Sequence, residues 1–279
     1  MKLHARGDTA DRSLRAARTA LNIFVVVGAA VPLYLLAKQS VTFELENFAW
    51  PPHWTPHHLT LSHFVSVFAV NELRSAVLRS LGVAAVSAAI ATLLGAMLAH
   101  AMARSPIAQR AGFSTVSGIR LLPMIAVAIP LGIILATVGI YDSPTGIGLA
   151  IVHAAIAIPT AGLTLYAAFV AIPLEIEEAA WIDGASPLRI FLTIDLPMAR
   201  GSIATALILC FILSWDEFGF ALLVQQTNRT LPPLLYYYTV FGNVGSASAL
   251  ALLMMIPAVC VVIALGPSLR GALTQGSSR

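Results

Sequence analysis

Apolar residues run along this chain in long blocks rather than in short alternations. Uncharged stretches of about 20 residues, enough for a helix to cross a hydrocarbon core, lie at 19–37, 80–103 and 121–141. A longer block at 143–174 predicts a fourth helix over 147–170. A fifth block covers 201–224 and is interrupted by Asp216-Glu217. The last block, 230–269, is too long for one helix, and Pro232-Pro233 mark a turn near its start. The sixth helix is therefore expected at 246–266.

Composition removes the alternative of a buried soluble core. Hydrophobic residues make up 58% of the chain and charged residues 10%, where soluble domains carry about 25% charged residues. The mean hydropathy is +0.85. A soluble fold this apolar could not cover its surface, whereas a bilayer accepts apolar residues on the outside of its helices. The expected fold class is an all-α integral membrane protein with six transmembrane helices. The net charge of +3 includes only two lysines, Lys2 and Lys38, and no dense basic patch outside the N-terminus suggests nucleic-acid binding. Cys210 and Cys260 lie in apolar blocks and read as small buried hydrophobes, not as a disulfide framework.

Arginine and lysine placement predicts the orientation. With the N-terminus in the cytoplasm, the inside segments carry 12 of the 16 basic residues and the outside segments only Lys38, Arg74, Arg79 and Arg229. Both termini are then cytoplasmic. The first block has a basic flank, but it is long for a signal-peptide core and lacks a clean small-x-small site before Lys38, so it reads as a retained helix. The expected organisation is a cytoplasmic segment 1–18, one transmembrane domain 19–270 and a cytoplasmic tail 271–279.

Two loops are long enough to carry function. The external loop 38–74 is rich in Pro, Trp and His, including His53, His57, His58 and His63. No His pair falls at i, i+4 of a predicted helix and no Cys or carboxylate pair completes a site, so the loop reads as a packed cap and no metal is expected. The internal loop 171–200 is more structured. Pro173 suits the first turn of a helix, Glu175, Glu177 and Glu178 favour its N-terminal dipole, and Gly184 can take the left-handed conformation that ends it. Ser186-Pro187 reads as N-cap and N1 of a second short helix, which Asp195-Leu196-Pro197 closes. The predicted element is a helical hairpin at the membrane surface, with Ala179 and Ala180 forming a flat face and the acidic residues at its edge.

This loop resembles the EAA loop of ABC-importer permeases: E-A-A, three residues, G, nine residues, I-x-L-P. Here these are Glu178-Ala179-Ala180, Gly184, Ile194, Leu196 and Pro197, with no departure. The similarity extends over most of the chain and is greatest to the carbohydrate group, of the maltose and glycerol-phosphate type. Ala101-Met102-Ala103-Arg104 resembles that group's A-Y-A-x-A-R. Leu122-Pro123 and Ile129-Pro130 resemble its spaced prolines, and Gly139-Ile140-Tyr141-Asp142 its G-L-x-D turn. Trp215-Asp216-Glu217-Phe218 resembles W-N-E-F, and the stretch from Arg270 through Gln275-Gly276 resembles the group's tail. Asp216 departs from the usual Asn, and Lys38-Gln39-Ser40 from the usual S-x-K stretch.

The resemblance implies an ABC importer type I permease fold, with the coupling helix between helices four and five. It implies that Glu178, Ala179 and Ala180 contact a separate ATPase subunit, that Gly184 makes the turn, and that Leu196 and Pro197 aim the hairpin. The partners it implies are two ATPase subunits, a second and non-identical permease, and an extracytoplasmic solute-binding protein, all at a bacterial inner membrane. The tail around Gln275-Gly276 would reach toward the ATPase. No phosphate-loop motif occurs, so ATP hydrolysis belongs to a partner and the chain is a transport subunit without cofactor.

Asp216 and Glu217 fall within the fifth span, where a carboxylate costs roughly 2.5 kcal/mol or more in lipid and so faces protein or a watery path. With Trp215 and Phe218 they are candidates to line the translocation path or its gate; an interhelical pair or a helix end is the alternative. Aromatic and hydrogen-bonding groups suit a sugar, and an acidic Asp216 suits a polyamine. An intramembrane enzyme lacks support, since neither H-E-x-x-H nor G-x-S-x-G is present. His100 and His153 read as satisfied interior residues. An ion-driven secondary transporter would leave the loop motif unexplained.

Overall fold

The computed structural model describes the backbone of residues 2–121 and 123–276, with side chains described for most of 15–263. Leu122, residues 277–279 and the side chains of the tail from Arg270 to Gly276 therefore lie outside the described residues. The helices, in chain order, are α1 (Lys2–Ser40), α2 (Glu44–Asn47), α3 (Ser62–Ala69), α4 (Asn71–Arg104), α5 (Pro106–Leu121), α6 (Met124–Thr137) and α7 (Ile147–Val170). Then follow α8 (Leu174–Ile182), α9 (Pro187–Ile190), a π-helical turn (Phe191–Asp195), α10 (Leu196–Met198), α11 (Arg200–Trp215), α12 (Gly219–Val224), α13 (Leu231–Val240) and α14 (Val244–Gly276).

Among the described residues four segments are long and apolar enough to cross a membrane: Ala17–Ser40, Asn71–Arg104, Ile147–Val170 and Val244–Val261. A fifth is obtained if Pro187–Met198 and Arg200–Trp215, bent by 80°, count as one. The predicted third span is shorter than expected. Pro123 stands as N-cap of α6, whose apolar stretch Ala126–Thr137 falls short of a bilayer crossing, and the preceding residues form the separate helix α5. The predicted fifth span also breaks: α11 ends at Trp215 and α12 begins at Gly219. A carboxylate pair inside a continuous apolar helix would be costly, and the break lets backbone N–H groups reach one of them.

The chain divides into two compact units. The first is Met1–Phe68 with Tyr238–Leu253. In it Glu44 accepts hydrogen bonds from the N–H groups of Val244 (2.7 Å) and Gly245 (3.0 Å), the first residues of α14. A carboxylate at a helix N-terminus meets orphan donors and the positive end of the dipole. Glu46 accepts from the N–H groups of His57 and His58, and the His63 ring lies 3.0 Å from the Thr42 carbonyl. The external loop thus packs on itself. The apolar half of α1 stays exposed, with Phe24 75% accessible, as suits a helix turned toward lipid.

The second unit is Ala69–Tyr237 with Met254–Arg279. Its centre is the crossing of α4, α7 and α11. Ala88 and Ala91 of α4 meet Ala157 and Ala161 of α7, with Cys210 of α11 against them. Small residues let helix backbones approach where no hydrophobic force favours association. Cys260, by contrast, is exposed and not buried as expected.

At one end of this unit the turn after α6 is tied to the segment after α12. Asp142, at φ +48°, accepts from the N–H groups of Thr227 and Asn228, both at 2.9 Å. Arg79 of α4 donates to the carbonyls of Pro144 and Arg229. Burial alone would raise the Asp142 carboxyl's pKa, but the bonds from Asn228 and Thr227 outweigh it and hold the group below the ordinary carboxylate range. A lowered folded value means that this contribution is present above the unfolded pKa, about 3.9, and is lost as pH falls through the folded one. Asp142→Asn should therefore melt earlier than the unaltered protein in detergent at pH 6. The gap should close as the pH is taken below 4; a gap that persists at acid pH would assign it to something other than the carboxylate charge.

Candidate functional site

The loop between α7 and α11 forms the predicted hairpin, with differences in detail. Pro173 is the N-cap of α8 and not its first turn: its φ of −60° and ψ of 132° are extended, and the helix starts at Leu174. Gly184 has φ +81° and nothing within 4 Å of where a Cβ would stand, so only the backbone conformation calls for glycine there. Ser186 caps α9 by accepting from the Arg189 N–H, and Pro187 sits at N1. Asp195-Leu196-Pro197 does not end the second arm. The helix widens into a π turn over Phe191–Asp195 and runs on through α10, where Pro197 sits in the first turn and its missing N–H is tolerated.

The arms present different faces. Glu178, Ala179 and Pro197 are exposed, Ala180 and Leu196 half-buried, and Gly184 exposed at the tip. Glu177 is buried and turns inward, which corrects the expectation that all the acidic residues line an outer edge. Arg104, the last residue of α4, donates from Nε to Glu177 Oε1 at 2.7 Å, also bonds it through Nη2, and donates from Nη1 to the Phe169 carbonyl at 3.0 Å. One turn earlier on α4, His100 Nε2 lies 3.0 Å from Oδ2 of the fully buried Asp195. The two atoms are not aligned for a hydrogen bond, so the contact is one of close approach. The His100 ring packs edge-on against Phe169 and Phe191. His100, Glu177 and Asp195 are spaced closely enough to ligate an ion, but the Arg104 guanidinium already supplies the cation Glu177 faces. A cavity of about 270 Å³ opens beside the group, bordered by Glu178, Trp181 and Pro187.

The second candidate region is the α11–α12 break. Asp216, Phe218, Thr160 and Leu213 border a cavity of about 610 Å³ that Glu217 also lines. Asp216 and Phe218 are exposed to it. Glu217 is engaged: it lies 3.0 Å from His153 Nε2 and accepts from the N–H groups of Phe220 (2.9 Å) and Ala221 (3.1 Å). His153, buried in α7, has its other ring nitrogen 2.7 Å from Ser214 Oγ. Trp215 turns the other way, stacked on Phe211 and donating its indole N–H to the Met254 carbonyl. Sequence reasoning missed Arg104, Glu177 and His153 as site-forming residues; Arg and Glu in a span-end and loop were visible, but their pairing across 73 positions was not.

Residues 91–267 match the family described as binding-protein-dependent transport system inner membrane component. The chain belongs to this family. It is a multi-pass bacterial membrane protein and a permease component of an ABC importer, not the ATPase. It is 31% identical over 229 residues, 80% of this chain and 83% of the relative, to the trehalose transport system permease protein SugB of Mycobacterium tuberculosis. It is 33% identical over 76% of both chains to the inner membrane ABC transporter permease protein YcjP of Escherichia coli. A bacterial ABC transporter involved in import of the acidic polysaccharide alginate has a chain of the same fold, with TM-score 0.71 at 18% identity over 94% of this permease and 97% of that chain.

Proposed function

We propose that this permease forms half of the translocation pathway for a small sugar or sugar derivative, driven by ATP hydrolysis in a separate subunit. The observation that carries the reading is the hairpin Leu174–Met198. It exposes Glu178 and Ala179 on a short, small-residue face while its inner side is held to α4. The complete motif and the φ of +81° at Gly184 agree with a docking element. Glu178, Ala179 and Ala180 make the contact, Gly184 the turn, and Leu196 and Pro197 set the angle of the second arm. Six crossings follow if the bent α11 pair and the short α6 each traverse the membrane beside the four long spans. Both termini are then cytoplasmic, and the tail reaches toward the ATPase.

The partners are two ATPase subunits, a second and different permease, and a solute-binding protein. A related-fold transporter is solved with a substrate-bound periplasmic protein. Named relatives serve trehalose, melibiose/raffinose/stachyose and diacetylchitobiose, which favours a short oligosaccharide. The exposed Asp216 beside Phe218 offers hydroxyl recognition and aromatic stacking, while its charge supports the second reading, a cationic solute such as a polyamine. Ala179→Cys, co-expressed with the neighbouring ATPase, should crosslink to it at a rate that changes with ATP. Uptake of labelled trehalose against labelled spermidine then separates the two solutes. An inserted, well-expressed permease that never meets an ATPase would refute the docking role.

A further inference from the structure

The two arms of the hairpin are each gripped by the same helix, and by side chains one turn apart on it. Arg104 of α4 holds Glu177 in the first arm; His100 of α4 contacts Asp195 at the end of the π turn in the second. Positions i and i+4 share one face of a helix, so both grips lie on a single stripe. Neither acid is available for an outside partner. The Glu177 side chain is 6% exposed and that of Asp195 is buried completely. The neighbouring Glu178 is exposed, so adjacent acidic positions do separate jobs. Arg104 also bonds the Phe169 carbonyl at the end of α7, so the guanidinium joins the hairpin to two long helices at once. Below the grips Phe169, Phe191, Ile172, Leu165 and Ala99 form one packed cluster, which transmits displacement because dense cores deform little.

We infer that α4 is the lever that receives the hairpin's movement, with Arg104 and His100 as positioning residues, one for each arm. This rests on the docking role proposed above for the exposed face. A planar, many-donor guanidinium suits the first grip, since it can bond a carboxylate and a carbonyl at fixed angles while remaining charged. Movement of α4 reaches the cavity beside Asp216 through its close packing on α7, which carries Thr160.

The test uses the permease assembled with its ATPase and needs no solute. Cys210→Ala and Cys260→Ser remove the native thiols, and Leu213→Cys, 41% exposed and lining the Asp216 cavity, reports its accessibility by maleimide labelling. In the parent, labelling should change between nucleotide-free and ATP-bound states. In Arg104→Gln the ATPase should still co-purify and hydrolyse ATP, while the nucleotide-dependent change in labelling shrinks about tenfold, the scale of an ordinary coupling free energy. Arg104→Glu with Glu177→Arg should restore a large part of it; a purely structural role would lower yield and leave the change in labelling per folded complex intact. His100→Asn gives a milder loss through the second arm, and it decides the matter if Arg104→Gln fails to accumulate. Full labelling changes in Arg104→Gln and His100→Asn complexes would overturn the lever. A parent that binds no ATPase would instead remove the docking role beneath it.

Discussion

Glu217→Ala is expected to destabilise the permease by about 2–6 kcal/mol, the cost of leaving two buried donors unsatisfied at about 1–3 kcal/mol each. Those donors are the N–H groups of Phe220 and Ala221, at the start of α12, and both residues are buried. The same substitution strips His153, only 1% exposed, of its carboxylate neighbour. Glu217→Gln keeps an acceptor oxygen, so most of the stability should return with it. Melting temperature in detergent, followed by the loss of the monodisperse peak, ranks the three proteins. Equal melting of Glu217→Ala and the parent would mean that the carboxylate does not organise the α11–α12 break. Asp216→Ala serves as the comparison: the neighbouring side chain is exposed to the cavity and its loss should leave melting nearly unchanged, with any effect falling on solute uptake.

Gly95→Leu should prevent accumulation of folded permease. A Cβ at Gly95 would overlap the Ala161 side chain and stand 3.0 Å from the Gly162 nitrogen and 3.1 Å from the Ala161 carbonyl carbon. Two of these three obstacles are backbone, so relief requires α4 and α7 to move apart. Even Gly95→Ala should cost about 1–3 kcal/mol, as overpacking does in dense interiors. Gly82, in the same helix, has nothing within 4 Å of its Cβ position. Gly82→Ala should be neutral or stabilise by up to about 1 kcal/mol through helix propensity. Yield by fluorescence-detected size exclusion measures both; wild-type yield from Gly95→Leu would refute the close α4–α7 approach.

The hairpin was readable because its signals are local. Proline, glycine and serine each act through their own backbone or the next turn, so Gly184 and Ser186 behave as their positions demand. The π turn was not readable. It widens the second arm over Phe191–Asp195 and admits Pro197 without ending the helix, a result of packing and not of any residue's preference. The fate of Trp215–Phe218 was likewise undetermined by pattern. Four adjacent residues divide into one that packs on Phe211, one that caps α12 and two that face a cavity. That division depends on where the helix stops.

The membrane setting, the positions of the apolar segments and the helical hairpin in one polar loop can all be read from residue order alone. Hydrophobic run length and backbone restriction are properties of a chain segment and need no neighbours. The folded arrangement is what turns Glu177 inward to Arg104 while Glu178 stays exposed, brings Asp195 to His100, and shares Glu217 between His153 and a helix terminus. The three side-chain pairs join residues 64 to 95 positions apart in the chain. The identity of a carboxylate does not say which buried cation or orphan N–H it will find; the crossing of α4, α7 and α11 does.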